Sequence, residues 1–188
     1  LSRGLGDVYK RQYLSNVYKK EISEYSTVLD LMSSWDSYLP KNKKYKKVIG
    51  HGLNKKELEK NKIFDTYWIQ NFNLNQQIPL DNESVDYCLM VAAWQYLQYP
   101  EKLTKEITRI LSTQGKFIIA FSNRAFWHKA PNIWTTSNEE ERIKYVRKVL
   151  ITNGFNEPKI IKKFNQPSLD IFNFLSKDPF YCLIATKD

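Results

Sequence analysis

Apolar positions change their period several times along the chain, and each change predicts an element. Between Tyr13 and Tyr25, Leu14, Val17, Tyr18 and Ile22 recur at helical spacing with Lys and Glu between them. Thr27-Val28-Leu29-Asp30-Leu31 is a short β-branched and aliphatic run, as in a buried strand. Lys47-Val48-Ile49-Gly50 predicts a second strand, then a helix from Asn54, which with Glu57 three residues on has the pattern of a capping box. Thr66–Phe72 reads as a third strand. Val85–Ala92 is almost wholly apolar, as a central parallel strand buried on both faces must be. Pro100 opens a helix with Leu103, Ile107, Ile110 and Leu111 on one side, which Gln114-Gly115 is expected to stop. Lys116–Phe121 is the next strand. Another helix runs from about Asn138 to Thr152, with Ile143, Val146, Val149 and Leu150 inward. Lys159–Phe164 and Phe180–Thr186 are strand-like.

Strands alternating with helices predict an α/β, Rossmann-like doubly wound sheet. Such sheets bind ligands beyond the carboxyl ends of their strands, near the switch in strand order. Leu31, Ile49, Ile69, Met90 and Ala120 therefore point to the candidate site. Composition narrows the class. The 188 residues suit one domain, and 42% hydrophobic against 26% charged residues predicts a packed core. The longest apolar stretch, Tyr87–Trp94, falls far short of the roughly 20 residues of a bilayer span. Cys88 and Cys182 lie in apolar runs and read as buried thiols in a reducing, cytoplasmic setting, not as a disulfide or metal knuckle.

The net charge of +9 changes the picture less than it promises. Leu1–Gln12 has no apolar core and no helical period, and reads as a non-native, disordered leader, which makes residues 13–188 a single domain truncated at its N-terminus. The leader holds Arg3, Lys10 and Arg11 against Asp7, which leaves +7 of the +9 for the rest. The basic stretch Lys41–Lys47 is assigned to a solvated linker before a strand, with phosphate contact as the alternative.

Several segments in order carry a resemblance. Asp30-Leu31-Met32-Ser33-Ser34-Trp35, Gly50-His51-Gly52-Leu53-Asn54, the acidic turn Leu80-Asp81-Asn82-Glu83-Ser84, Gln95-Tyr96-Leu97, Glu106-Ile107-Thr108-Arg109-Ile110-Leu111, Phe121-Ser122-Asn123-Arg124 and Asp178-Pro179-Phe180-Tyr181 are similar to class I S-adenosylmethionine-dependent methyltransferases. More narrowly, they resemble a type-11 methyltransferase-like family of photosynthetic lineages. The resemblance implies a mostly parallel sheet with an antiparallel last strand and S-adenosyl-L-methionine as cofactor. It places Asp30, Met32 and Ser33 on the methionine side, Gly50, Gly52 and Asn54 at the ribose, and Asn71, Phe72 and Asn73 at the adenine. Val91–Gln95, including Ala92 and Trp94, would close the pocket, and Gln95, Ser122, Asn123, Arg124 and His128 would lie on the acceptor side.

Three departures from the family pattern bear on the cofactor. Met32-Ser33-Ser34-Trp35 has no glycine where such folds turn sharply. The acid that accepts from a ribose diol at the end of the second strand is missing, Gly52 and Asn54 being uncharged. The acid after the third strand is Asn71, which would accept from the adenine amino group through its side-chain carbonyl with a weaker neutral bond.

Each assignment has a plainer counterpart. Asp30 could cap a turn, Trp35, Trp94 and Tyr96 could pack sheet against helix instead of stacking on a ligand, and His128 is either a general base or a surface residue. His51, between two glycines, is expected beside the cofactor and not in proton transfer. The leading expectation is methyl transfer to a small-molecule acceptor. The alternatives are an inactive methyltransferase-fold binding or regulatory module and, on charge alone, an RNA methyltransferase.

Overall fold

Five successive buried residues, Thr27–Leu31, form β1, the centre of the molecule. The structure, a computed structural model, describes residues 8–122, 125–163 and 179–188. The other strands are β2 (Lys47–Gly52), β3 (Thr66–Ile69), β4 (Val85–Val91), β5 (Leu111–Ser122), β6 (Lys159–Lys163) and β7 (Phe180–Thr186). They form one seven-stranded sheet in the order β3-β2-β1-β4-β5-β7-β6. All pairings from β3 to β5 are parallel, and β7 runs antiparallel to both its neighbours. The chain winds from β1 outward to β3, returns to β4 and winds the other way, so the switch point lies between β1 and β4. The expected doubly wound sheet with an antiparallel last strand is what the chain forms.

Alternation along the strands builds two hydrophobic layers. Leu29, Leu31, Cys88, Met90, Phe117 and Ile119 face one layer, covered by α3 (Pro100–Ile110) and α5 (Glu139–Thr152). Leu103, Ile107 and Ile110 of α3 are fully buried there, each worth about 1.5–3 kcal/mol of transfer free energy. Val28, Val48, Leu89, Ile118 and Cys182 face the other layer, under α1 (Val8–Glu21). Two short helices complete the set, α2 (Lys55–Lys60) and α4 (Asn132–Thr136). Both cysteines are free and buried. Among the described residues no helix is long and apolar enough to cross a membrane, and no cluster of side chains could hold a metal ion.

Several element boundaries correct the sequence reading. α1 starts at Val8, so residues 8–12 of the segment set aside as a disordered leader are helical. Lys10 sits one turn before Leu14 and is buried with it, which continues the inward stripe that Leu14 and Val17 extend. Gln114-Gly115 does not stop α3, which ends at Ile110 and passes straight into β5. Between the pairs Val85–Leu111 and Tyr87–Lys116 the ladder is irregular, and Gln114 takes a left-handed φ of 63° there. Gly115 is required because a Cβ would stand 2.7 Å from the Ser112 carbonyl. β3 ends at Ile69, three residues before Phe72, because Asn71 starts a turn in which its carbonyl accepts from Leu74 and Asn75. The linker lysines are partly structural: Lys43 donates to the Lys19 and Ile22 carbonyls at the end of α1.

Candidate functional site

β1 and β4 end on two non-glycine residues in the left-handed region, Met32 at φ 53° and Ala92 at φ 49°. They sit one residue beyond Leu31 and Val91, where the two strands diverge, and Ala92 stays tied to the sheet by donating to the Ala120 carbonyl at 2.7 Å. The Met32 turn is held from β2. His51 Nδ1 accepts from the Met32 amide at 3.0 Å, and the Ser33 amide donates to the His51 carbonyl at 2.7 Å. Because a backbone N–H can only donate, Nδ1 is the acceptor nitrogen, and Nε2–H donates to the Gln70 carbonyl at 2.9 Å. His51 thus joins the ends of β1, β2 and β3. Its ring stacks on Phe72 at 4.0 Å and leans on Trp68 at 4.8 Å. Burial drives its pKa down to about 4, against the hydrogen bond to Gln70, so the ring is neutral.

A cleft of about 150 Å³ opens above these residues, lined by Met32, His51, Gln70–Asn73, Leu53, Tyr96, Phe126 and Lys129. That volume suits a ring system and is smaller than the roughly 300–1,000 Å³ that encloses a whole drug-sized ligand. A second depression of about 10 Å³ begins on the other side of Met32, lined by Asp30, Ser33, Ser34, Asp36, Tyr38 and Val91. Met32 lines both. Asp30 is buried and accepts from the Ser33 hydroxyl at 2.8 Å. Desolvation raises its pKa to about 7, offset in part by the Ser37 and Ser33 hydroxyls and reinforced by Asp36. A buried carboxyl beside a second acid, with no basic side chain among the described residues that line the depression, is suited to an ammonium group.

The structure brings Met32, Asn71, Phe72 and Asn73 together at the aromatic end of this cleft, and Asp30, Met32 and Ser33 at the acidic end. Gly52 lies behind the Met32 turn, where a Cβ would meet the Ser33 carbonyl at 2.7 Å. Gly50 lies under the Phe64 ring, 2.5 Å from where its Cβ would stand. Both glycines are therefore explained by packing. Asn54 is exposed and caps α2: its Oδ1 accepts from the Lys56 amide and its Nδ2 donates to Glu57, so the capping box is formed only in part. Trp94 and Gln95 are buried and line a separate cavity of about 50 Å³ with Pro131 and Trp134. Ser122 is buried at the end of β5, opposite Phe180. His128 is exposed on the single turn Trp127–Lys129, with Phe126 6.3 Å from its ring. Asn123 and Arg124 lie outside the described residues.

Sequence reasoning did not single out Gln70, Leu53, Phe126 or Lys129 as cleft residues. Gln70 adjoins Asn71 and was the nearest to being found. Phe126 and Lys129 reach the cleft through a tertiary contact, the Phe126 amide donating to the Tyr96 hydroxyl at 3.1 Å, which no periodicity announces.

The strand order, the switch point between β1 and β4 and the antiparallel β7 define the class I methyltransferase fold. Residues 35–119 match the methyltransferase domain family Methyltransf_11. No curated protein sequence matches the chain. Among solved structures, an S-adenosylmethionine-dependent methyltransferase from Thermotoga maritima is similar at 19% identity and a TM-score of 0.65, over 96% of this chain and 92% of that one. One from Mesorhizobium loti is similar at 15% identity and a TM-score of 0.66, over 98% and 100%. A chain from the complex between the Haloferax volcanii Trm112 methyltransferase activator and a methyltransferase matches at 17% identity and 0.66, over 95% and 90%.

Proposed function

We propose that this chain is a cytoplasmic S-adenosylmethionine-dependent methyltransferase acting on a small-molecule acceptor. The observation that carries the proposal is the pairing of an aromatic cleft with a buried acid across one strand end, Phe72 and Asn71 on one side of Met32 and Asp30 on the other. The residues present fit the cofactor in kind. An aromatic cleft suits a heteroaromatic base, and Asp30 with Asp36 suits an ammonium. S-adenosyl-L-methionine, when bound, supplies an electrophilic methyl group on a sulfonium, and in-line attack on it depends chiefly on alignment. The chain's own part is then to fix both ends of that ligand. His51 holds the Met32 turn and the Gln70 carbonyl in one frame, and Asp30 orients the amino-acid end. His128, the residue before Lys129 on the turn Trp127–Lys129, is the candidate base where an acceptor must lose a proton.

A second reading is a methyltransferase-fold binding module without transfer activity. Gly52 and Asn71 in place of acids favour it, as does the narrowness of the depression at Asp30. Titration calorimetry with S-adenosylmethionine and S-adenosylhomocysteine tests the proposal. Both are expected to bind, and Asp30→Ala to weaken binding by about 1–3 kcal/mol, the scale of a lost charge-assisted hydrogen bond. Absence of binding at millimolar ligand removes the methyltransferase reading, and unchanged affinity in the variant removes Asp30 from the site.

A further inference from the structure

The two walls of the aromatic cleft come from opposite sides of β1. His51 and Gln70–Asn73 belong to the ends of β2 and β3, whereas Tyr96 follows β4, and Phe126 and Lys129 follow β5. The strand order β3-β2-β1-β4-β5 sets these two groups apart. Backbone bonds tie the second wall together. The Phe126 amide donates to the Tyr96 hydroxyl at 3.1 Å, and the Lys129 amide donates to the Phe126 carbonyl at 2.8 Å. Asn73 joins this wall to the first, its Nδ2 donating to the Tyr96 carbonyl at 2.9 Å. The Tyr96 and Phe126 rings lie 6.4 Å apart at 31°, and Lys129 Nζ stands over Phe126 at 5.6 Å.

Charge on this wall has one sign. Lys129 is the only charged side chain among the described residues that line the cleft, since burial keeps His51 neutral. No described carboxylate pairs with it. Because the Phe126 amide can only donate, the Tyr96 oxygen is its acceptor, and the hydroxyl hydrogen is left to donate elsewhere. An ammonium and a hydroxyl donor beside two aromatic rings match a carboxylate or phosphate carried on a flat apolar body. The rings take the body, and their low dielectric strengthens the pull on the charge. The depression at Asp30 has the opposite character, so the two regions sort ligand groups by sign.

We infer that the acceptor is a small aromatic anion, seated on Tyr96 and Phe126 with its carboxylate or phosphate at Lys129. The inference rests on the S-adenosylmethionine reading of the cleft and adds the chemical class of the acceptor to it. The base of the cofactor belongs to the first wall, with Phe72 and Asn71, which leaves the second wall to the acceptor.

Benzoate and benzamide are close in shape and differ in charge, so titration calorimetry with the pair tests this on the whole chain, with and without saturating S-adenosylhomocysteine. Benzoate is expected to bind at least about fivefold more tightly, the scale of one exposed charge-assisted contact. That preference is expected to shrink as salt is raised. Lys129→Met is expected to bring the two within about twofold by weakening benzoate alone, and Lys129→Arg to keep the preference. Phenyl phosphate separates the two sources of charge: binding tighter than benzoate assigns a phosphate, and weaker binding a carboxylate. No binding of benzoate, no preference for it, or a preference that survives Lys129→Met overturns the inference. So does benzoate that S-adenosylhomocysteine displaces, because it then occupies the place of the cofactor. Absence of S-adenosylhomocysteine binding removes the methyltransferase reading and the acceptor role with it, while the benzoate titration of the free chain still decides whether the anion subsite exists.

Discussion

Met32 is the residue on which the two ends of the site turn. Its left-handed backbone costs an L-residue roughly 1–2 kcal/mol, and its side chain divides the aromatic cleft from the depression at Asp30. Met32→Gly removes both the strain and the partition. Stability is expected to stay within about 1 kcal/mol, because the relief offsets the greater freedom of glycine in the unfolded chain. Affinity for S-adenosylhomocysteine is expected to rise as the cavities join. Thermal melting with calorimetry checks both, and weaker binding in the variant would show that Met32 is a contact and not a barrier. The absence of glycine here was legible in the sequence, but that Met32 itself takes the left-handed conformation was not. What could not be read was that His51 supplies the acceptor that fixes the turn, since an imidazole between two glycines shows neither the direction of its ring nor the neighbours that β3 brings. Asn71 shows the same limit: its identity suggested an acceptor for adenine, but the Asx turn in which its oxygen also accepts from the Asn73 amide is a matter of backbone geometry.

At the scale of the element, the helices with side-chain signals at their ends were the ones most faithfully foreseen. α5 begins where Asn138 and Glu141 satisfy each other's backbone, the Glu141 amide donating to Asn138 at 3.1 Å and the Asn138 amide donating to Glu141 at 2.7 Å. It closes against Gly154 at φ 91°. Asn138→Ala is expected to cost about 1 kcal/mol, since it leaves the first-turn donors without that oxygen. A urea unfolding midpoint lowered without a change in slope would confirm it, and an unchanged midpoint would mean that Trp134 and Arg142, joined by a buried hydrogen bond of 2.9 Å, hold this helix start alone. The opposite case is the passage from α3 to β5. Gln114-Gly115 carries the usual signature of a helix stop, yet the helix ends four residues earlier because Leu111 already pairs with Val85. A turn signal inside a strand marks an irregular ladder, and only the register distinguishes the two.

For the molecule as a whole, two buried titratable groups pull its stability in opposite directions with pH. Asp30 keeps its proton up to about pH 7 in the folded state, against an ordinary value of 3.8. Its contribution is therefore complete below about pH 4 and is lost as pH rises toward 7. His51 resists protonation down to about 4, against an ordinary 6.5. Its contribution is complete above about 6.5 and is lost as pH falls toward 4. The wild-type profile between pH 4 and 7 is expected to be flattened by this opposition. Asp30→Asn should expose a rise of stability with pH, and His51→Gln a fall, both read from denaturation midpoints across that range. Parallel profiles in the two variants would show that neither group governs the acid behaviour of the fold.

The two ends of the site also belong to different halves of the protein. His51 and Phe72 lie on the layer under α3 and α5, whereas Asp30 sits on the face covered by α1, near Tyr18 and Tyr38. A ligand reaching from Phe72 to Asp30 must pass over the top of the sheet between Met32 and Ala92. Such a ligand acts as a rivet through both layers, so the energy of holding it is shared by helices that never touch its atoms. Loosening at either layer is then felt at both ends of the ligand.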